Sequence, residues 1–583
     1  MKKPLVILSF LIVGLSLYFS YGPAMNFLAN WAFSYPDNKK SLYSVDLLRN
    51  QSFETKKGIT LSARLFRPRG LEKAPTILVR IPLTYTLENS LKSELIGRFW
   101  SSRGYNTVLQ GTRGRYQSSG TFYPLIHERE DGQETLAWIK QQPWFDGDLF
   151  MWGSSSFAHT QWAIADSTDP QIKGYFMHIA SSDFEGMFYP GGAFSLATAV
   201  YWSMRSRGQE DREVVLEDLK KGLETLPIIE ADNVALGDTD FYNDWVLNKD
   251  NQKFWEKIDG INRTEEIQGP ALLLAGWYDP FLITQIEDYK SLKSHPDSYI
   301  AQNTRLIIGP WKHAEQVSLP NGESIAYREN SVWPAIPWFD EILGKGAKKI
   351  ADVNIFVMGI NQWREEQEWP LQRTVYKPYF LNSSGQANSA KGNGLLTPLK
   401  DSLGNASDSF TYNPTNPVPT AGGAILGSWG GIRNQKDIEQ REDVLIYDGP
   451  TLEFPLEITG PVEAHLHVSS NVETTDFTVK LVDVYPDGNV YNISDGIIRL
   501  EDIPTEEDKP LLAKIQLRPT SNVFLPGHKI RIEVSSSNFP RYDRNLNVKQ
   551  DFATGKEFLS ANQTVYHSKD FPSYILLPTI PVH

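Results

Sequence analysis

Not one of the 583 residues is cysteine, so disulfides, thiolate metal sites, a cysteine nucleophile and a lipoprotein-type lipid anchor are all excluded. Basic charge is scarce as well. With 57 Lys and Arg against 70 Asp and Glu, the formal net charge is −13, and the basic stripe that a nucleic-acid partner calls for is missing. Long apolar runs are absent with one exception. Pro4 to Tyr21 carries no charge and follows Lys2-Lys3, the order of an export signal, and it lies near the lower limit of about 17 residues for spanning a bilayer. Residues 1–22 are therefore read as a signal peptide or an uncleaved N-terminal membrane anchor. Pro23, directly behind the small residues Ser20 and Gly22, hinders processing and favours the anchor. The body is then exported, periplasmic or extracellular, with the positive end cytoplasmic.

What is present is an ordinary folded composition, 40% apolar and 22% charged, in a chain too long for one core, so two or three domains are expected. Gly58–Pro68 alternates apolar residues like a half-buried strand. Runs rich in β-formers follow at 76–80, 105–109, 148–152, 174–180, 271–275 and 305–308, and the spacing from Glu128 to Gln142 is helical, ended by Pro143. Strands alternating with helices imply a largely parallel sheet covered on both faces. A charged, helix-patterned stretch from about 188 to 259 interrupts the alternation and reads as a cap over the carboxyl ends of the strands. After Lys349 short alternating strands take over, with turns such as Asp487-Gly488 and Pro526-Gly527, the pattern of a sandwich or jelly roll. The expected organisation is thus an α/β domain over 45–349 and an all-β domain over 350–583. His465 and His467 share one face of a strand, a spacing that suits a metal, but with no third ligand nearby a solvated face is the better reading.

One turn carries chemistry. In Asp148-Leu-Phe-Met-Trp-Gly-Ser-Ser-Ser-Phe-Ala-His-Thr-Gln161 a short apolar run meets a Gly-Ser cluster and then a segment free of Gly and Pro. This is strand, sharp turn, helix, the setting of the G-x-S-x-G nucleophile elbow. Gly153-x-Ser155 supplies its first half, and Phe157 stands where the second glycine belongs. An activated serine needs a base and a carboxylate to orient it, and the α/β-hydrolase order is Ser, acid, His. Asp279 lies just past the 271–275 run and His313 just past 305–308, in that order. His159 and His178 are rival bases, but both precede Asp279.

The set Arg113-Gly114 with Ser118-x-Gly120, Gln142-Pro143-Trp144, Gly153-x-Ser155, Tyr189-Pro190-Gly191-Gly192, Gly276-Trp277-Tyr278-Asp279 and Gly309-Pro310-Trp311-x-His313 resembles the cocaine esterase-like (CocE/NonD) hydrolases. Their relatives are X-Pro dipeptidyl-peptidases, α-amino acid ester hydrolases and glutaryl acylases. The likeness runs from about Leu47 to the end, through motifs such as Phe477-Thr-x-Lys-Leu-Val-Asp-Val-Tyr-Pro-Asp-Gly488 and Pro526-Gly-His-x-Ile-Arg531.

The resemblance implies an α/β-hydrolase core with an inserted helical cap and a C-terminal jelly roll of the galactose-binding-like type. Carried over by position, Ser155 is the nucleophile, Asp279 the orienting acid and His313 the base of an acyl-enzyme mechanism that uses no metal or organic cofactor. The backbone N–H of Ser156 is one oxyanion donor. The family's second donor is a tyrosine hydroxyl in Arg-x-Pro-Tyr, where this chain reads Arg80-Ile81-Pro82-Leu83, and Tyr85 is the candidate substitute. The family's tyrosine after the nucleophile is here Ser156, its elbow glycine is Ala158, and the acid of its Asp-x-Arg-Gly motif is Gly111.

Phe281 and Leu282 occupy the places where amino-ester hydrolases carry carboxylates, so an uncharged or aromatic acyl group is expected. Trp277, Tyr278, Phe281 and Trp311 are candidate pocket residues. The substrate is then a small ester, amide or peptide, with X-Pro dipeptidyl-peptidase activity as an alternative. A reading of another class is a decayed hydrolase scaffold that binds a glycan or other ligand.

Overall fold

The structure is a computed structural model that describes residues 21–33, 41–207, 214–237, 239–260, 263–346, 349–400, 404, 406–503 and 510–581. Of the segment 1–22 read as signal or anchor, residues 1–20 lie outside the described residues. Residues 21–32 are helical, and among the described residues no helix is long and apolar enough to cross a membrane.

The apolar runs of the first half become the strands of one ten-stranded sheet. In chain order these are β1 (Val45–Leu48), β2 (Ala63–Pro68), β3 (Ala74–Ile81), β4 (Asn106–Gly111), β5 (Phe145–Ser154), β6 (Ile172–His178), β7 (Ala271–Gly276), β8 (Arg305–Gly309), β9 (Val353–Val357) and β10 (Gln362–Glu366). Their order across the sheet is β1-β2-β4-β3-β5-β6-β7-β8-β9-β10. Pairing is parallel from β4 through β9 and antiparallel at both edges. The central strands are covered on both faces, which is why β7 reads Ala-Leu-Leu-Leu-Ala-Gly with every residue buried.

Two details depart from expectation. β2 is buried on both faces rather than half-buried. Its Arg64 is accommodated because the guanidinium donates to Ser90 Oγ at 3.1 Å and lies over the Tyr116 ring. The ten-stranded sheet also runs beyond 349, since β9 pairs in parallel with β8 and β10 closes the edge. The 349/350 boundary read from the change in pattern therefore falls before the sheet's last two strands, which resemble the short strands that come after them.

Between β6 and β7 the chain forms a run of helices, among them Phe184–Phe188, Leu196–Ser206, Leu216–Glu224, Asp240–Leu247 and Gln252–Asp259. They bury an apolar cluster of their own around Phe188, Trp245 and Trp255. Backbone bonds tie this layer to the C-terminal domain: Ala197 N–H donates to Pro540 O (3.0 Å), Asp543 N–H to Phe194 O (2.8 Å) and Ile229 N–H to Ala553 O (3.2 Å). Phe194 N–H returns a bond to Asp543 Oδ1 at 2.7 Å.

The C-terminal domain is β-rich. Its strands form an eleven-stranded network whose longest members, Leu456–Ser470 and Leu511–Phe524, pair antiparallel over most of their length. From Val462 to Val468 burial alternates as the sequence pattern requires, and His465 and His467 lie on the half-buried face. Neither histidine stands open: the Tyr574 hydroxyl bonds to His465 Nδ1 at 3.0 Å, and His467 Nδ1–H donates to Pro572 O at 3.0 Å.

Both domains contribute to one continuous core that includes Leu273 and Leu306 from the first sheet and Leu466 and Ile515 from the second. At that junction Trp277 Nε1–H donates to Phe356 O (2.7 Å), the Tyr278 hydroxyl to Asn492 O (3.0 Å) and Arg518 Nη1–H to Trp277 O (3.2 Å).

Candidate active site

β5 ends at Ser154, and the chain turns through Ser155 at φ 55°, ψ −126° before Ser156–Trp162 continues as helix. That conformation lies outside the regions comfortable for an L-residue, so its surroundings must hold it. Ser155 N–H donates to His178 O of β6 at 2.9 Å, and Ser155 O accepts from Ala158 N–H (2.8 Å) and His159 N–H (3.0 Å). Gly153 is required by space, because a Cβ there would lie 2.5 Å from the Phe157 Cβ. The residue in place of the second motif glycine thus folds back against the first.

Asp279 follows β7 and is fully buried. Its Oδ1 accepts from Phe281 N–H at 2.8 Å, and its Oδ2 accepts from His313 Nδ1–H at 2.7 Å. A carboxylate can only accept, which fixes the tautomer and leaves Nε2 to accept from Ser155 Oγ–H at 2.8 Å. The three residues named from sequence are therefore brought into one hydrogen-bonded path from three separate strand ends.

The rival histidines are elsewhere. His159 is buried with Nε2 3.4 Å from Leu125 O, and burial pulls its pKa down to about 3. His178 is buried edge-on between Trp152 and Phe176, with neither ring nitrogen hydrogen-bonded among the described residues. Burial pulls its pKa down to about 3 as well. Both are neutral packing groups at neutral pH.

A cavity of about 380 Å³ opens over Ser155, within the range of small-molecule sites. Leu125, Phe157, Phe184, Met187, Trp202 and Phe281 supply its apolar wall, and Ser156 and His313 also line it. Ser156 N–H has no hydrogen-bond partner among the described residues. Two acids line the cavity, and each is already engaged: Glu128 with Arg80 at 3.0 Å and Glu315 with Lys312 at 2.7 Å.

Of the four aromatics expected in the pocket, only Phe281 lines it. Trp277, Tyr278 and Trp311 are buried in the core beneath, and the Trp311 indole donates to Ile325 O at 2.8 Å. They stand near the right loops, but their side chains point into the packed layer. Tyr85 does not line the cavity either. It is 44% exposed, its ring meets Tyr116 edge-on, and its hydroxyl is 3.5 Å from Ser90 Oγ. The cause is local: Thr86 caps the helix Leu87–Ser101 by accepting from Asn89 N–H at 3.0 Å, so the loop has turned away by Tyr85.

Gly111 has a physical reason too. A Cβ there would lie 2.5 Å from Arg115 O, so no acidic side chain fits, and Arg113 pairs instead with Asp131 at 2.6 Å. Missed from sequence were Phe184, Met187 and Trp202 of the helical layer, and Leu426 and Gly427 of the C-terminal domain. The cap reading covered the stretch that holds Trp202 without singling it out, and the glycine-rich stretch around 422–431 was the only signal for Leu426 and Gly427.

Two family descriptions match this chain: X-Pro dipeptidyl-peptidase (S15 family) over residues 57–315 and X-Pro dipeptidyl-peptidase C-terminal non-catalytic domain over 345–576. Cocaine esterase of Rhodococcus sp. (strain MB1 Bresler) is 34% identical over 571 residues, covering 90% of this chain and 96% of that one. The chain belongs to the cocaine esterase-like (CocE/NonD) family. An aminopeptidase from a marine sediment Thaumarchaeota archaeon superposes with TM-score 0.78 at 22% identity, covering 94% of this chain and 99% of its own. An α-amino acid ester hydrolase does so with TM-score 0.78 at 23% identity, covering 94% and 98%. Membership of the family makes the protein a serine hydrolase of ester or amide bonds, with an N-terminal α/β catalytic domain and a C-terminal β-rich domain. β9 and β10 fall within the C-terminal match although they complete the catalytic sheet.

Proposed function

We propose that Ser155 attacks the acyl carbon of a small, uncharged ester, with His313 as general base and Asp279 orienting the imidazole. The unbroken hydrogen-bond path Ser155–His313–Asp279 carries this reading. In acylation the Ser155 Oγ proton passes to Nε2, and the same nitrogen returns it to the leaving group. Water repeats the exchange and frees the acyl-enzyme. Ser156 N–H is one donor to the oxyanion.

An apolar wall and two acids already committed to Arg80 and Lys312 favour an uncharged acyl group over one bearing an ammonium. The name of the Rhodococcus relative likewise speaks for an ester. Dipeptidyl-peptidase activity is the second reading, on the strength of the S15 match. A C-terminal jelly roll and export by way of residues 1–22 belong to the same proposal, the latter supported by Lys2-Lys3 ahead of the uncharged run to Tyr21.

A fluorophosphonate probe should label the folded protein, and Ser155→Ala should abolish both labelling and nitrophenyl-ester turnover. Failure of the wild type to label would favour a ligand-binding scaffold. Faster turnover of Gly-Pro-anilide than of every nitrophenyl ester would favour the peptidase.

A further inference from the structure

The transition state for acyl transfer places negative charge on one oxygen, and a single N–H is a thin support for it. With Leu83 in place of the family's tyrosine and Tyr85 turned away, no tyrosine hydroxyl of this loop reaches the cavity. We propose that the backbone N–H of Leu83 is the second oxyanion donor. This inference rests on Ser155 being the nucleophile.

β3 lies beside the elbow strand β5 in parallel, with Leu78 level with Met151. Carried three residues on, that register sets Ile81 level with Ser154, so the loop leaving β3 passes the turn at Ser155. Of that loop only Pro82 and Leu83 line the cavity. Pro82 has no N–H. The Leu83 N–H has no hydrogen-bond partner among the described residues.

The peptide between them is also held. On one side Ile81 O accepts from Thr112 N–H at 3.0 Å, and on the other Leu83 O accepts from Tyr116 N–H at 3.1 Å. Just upstream the buried Arg80 guanidinium donates to Glu128 O (2.7 Å) and Gln110 Oε1 (3.0 Å). A donor fixed before substrate arrives costs no reorganisation when the charge forms. In the step itself a bond forms between Ser155 Oγ and the acyl carbon, the carbonyl π pair moves onto oxygen, and the proton goes to His313 Nε2. The N–H groups of Ser156 and Leu83 then share that oxygen. A backbone donor also explains why this chain dispenses with the tyrosine hydroxyl: any residue but proline at position 83 brings the N–H.

The test replaces Leu83 by its α-hydroxy analogue, which exchanges the N–H for oxygen and keeps the side chain. Leu83→Ala and Leu83→Pro stand beside it, with melting curves as the check on folding. The expected result is a fall in kcat of about 100-fold or more for the ester and for Leu83→Pro, with KM little changed, well beyond what Leu83→Ala loses through the cavity-lining side chain alone. Wild-type kcat in the ester variant overturns the proposal even if Leu83→Pro fails to fold. Ser155→Ala separates the two readings. If it retains turnover the nucleophile assignment falls; if it is inactive while the ester variant turns over normally, only the Leu83 assignment falls.

Discussion

Asp288 lies on the helix that follows the Asp279 loop, buried, with Ser182 as its partner: Ser182 N–H and Oγ–H donate to its two oxygens at 3.0 and 2.6 Å. Burial outweighs these bonds and raises its pKa from 3.8 to about 7. The folded protein therefore holds a proton here that the unfolded chain has released between pH 4 and 7. Stability is greatest below the unfolded value and declines as pH rises through the folded one. Asp288→Asn, which needs no proton, should flatten this slope, read as the urea midpoint of wild type and variant from pH 4 to 8. Residue identity showed none of this, because an aspartate on a helix has an ordinary pKa until its neighbours are known. Asp279, by contrast, could be singled out by its place just past a buried strand, between Ser155 and His313 in chain order.

At the scale of elements, the elbow is where sequence and structure meet most closely. Gly153→Ala puts a Cβ 2.5 Å from the Phe157 Cβ, and the turn must open to admit it. Overpacking of this kind costs about 1–3 kcal/mol. If Ser155 is the nucleophile proposed above, a shift of its hydroxyl by ~1 Å can cost about 100-fold in rate, so a lower melting temperature and a kcat loss of that order are expected in nitrophenyl-ester assays. The strands were readable from runs of buried residues, and the hydrogen-bonded grouping of Ser155, His313 and Asp279 from the ends of those runs. The pocket was not. Which face a side chain takes just beyond a strand depends on the layer above it, so Trp277, Tyr278 and Trp311 went to the core while Phe281 faced the cavity. Phe184 and Trp202 enter it only because helices far along the chain fold across. Leu83 was read only through its side chain, as the residue that stands where the family has a tyrosine, so its own backbone N–H was passed over.

Across the whole molecule the C-terminal domain reaches the catalytic loop. Arg518, paired with Asp495 at 2.8 Å, donates to the carbonyl of Trp277, two residues before Asp279. Arg518→Met should cost about 1–3 kcal/mol in stability, as a buried acceptor loses its donor. Asp495 stays paired with Arg541, so the fold should survive. The telling result is a lower kcat at unchanged KM, with partial recovery in Arg518→Lys; kinetics equal to wild type would show that the carbonyl needs no such support. The sequence change after Lys349 gave two domains, but nothing in it revealed that they share one core or that the sheet closes with strands beyond that point.

The helices over the cavity are fastened to the C-terminal domain by bonds from Phe194, Ala197 and Ile229, so they do not swing like a lid on one hinge. Access is then expected to depend on girth more than on gating. A site of about 380 Å³ suits a small molecule, or the free end of a chain, better than the middle of a polymer.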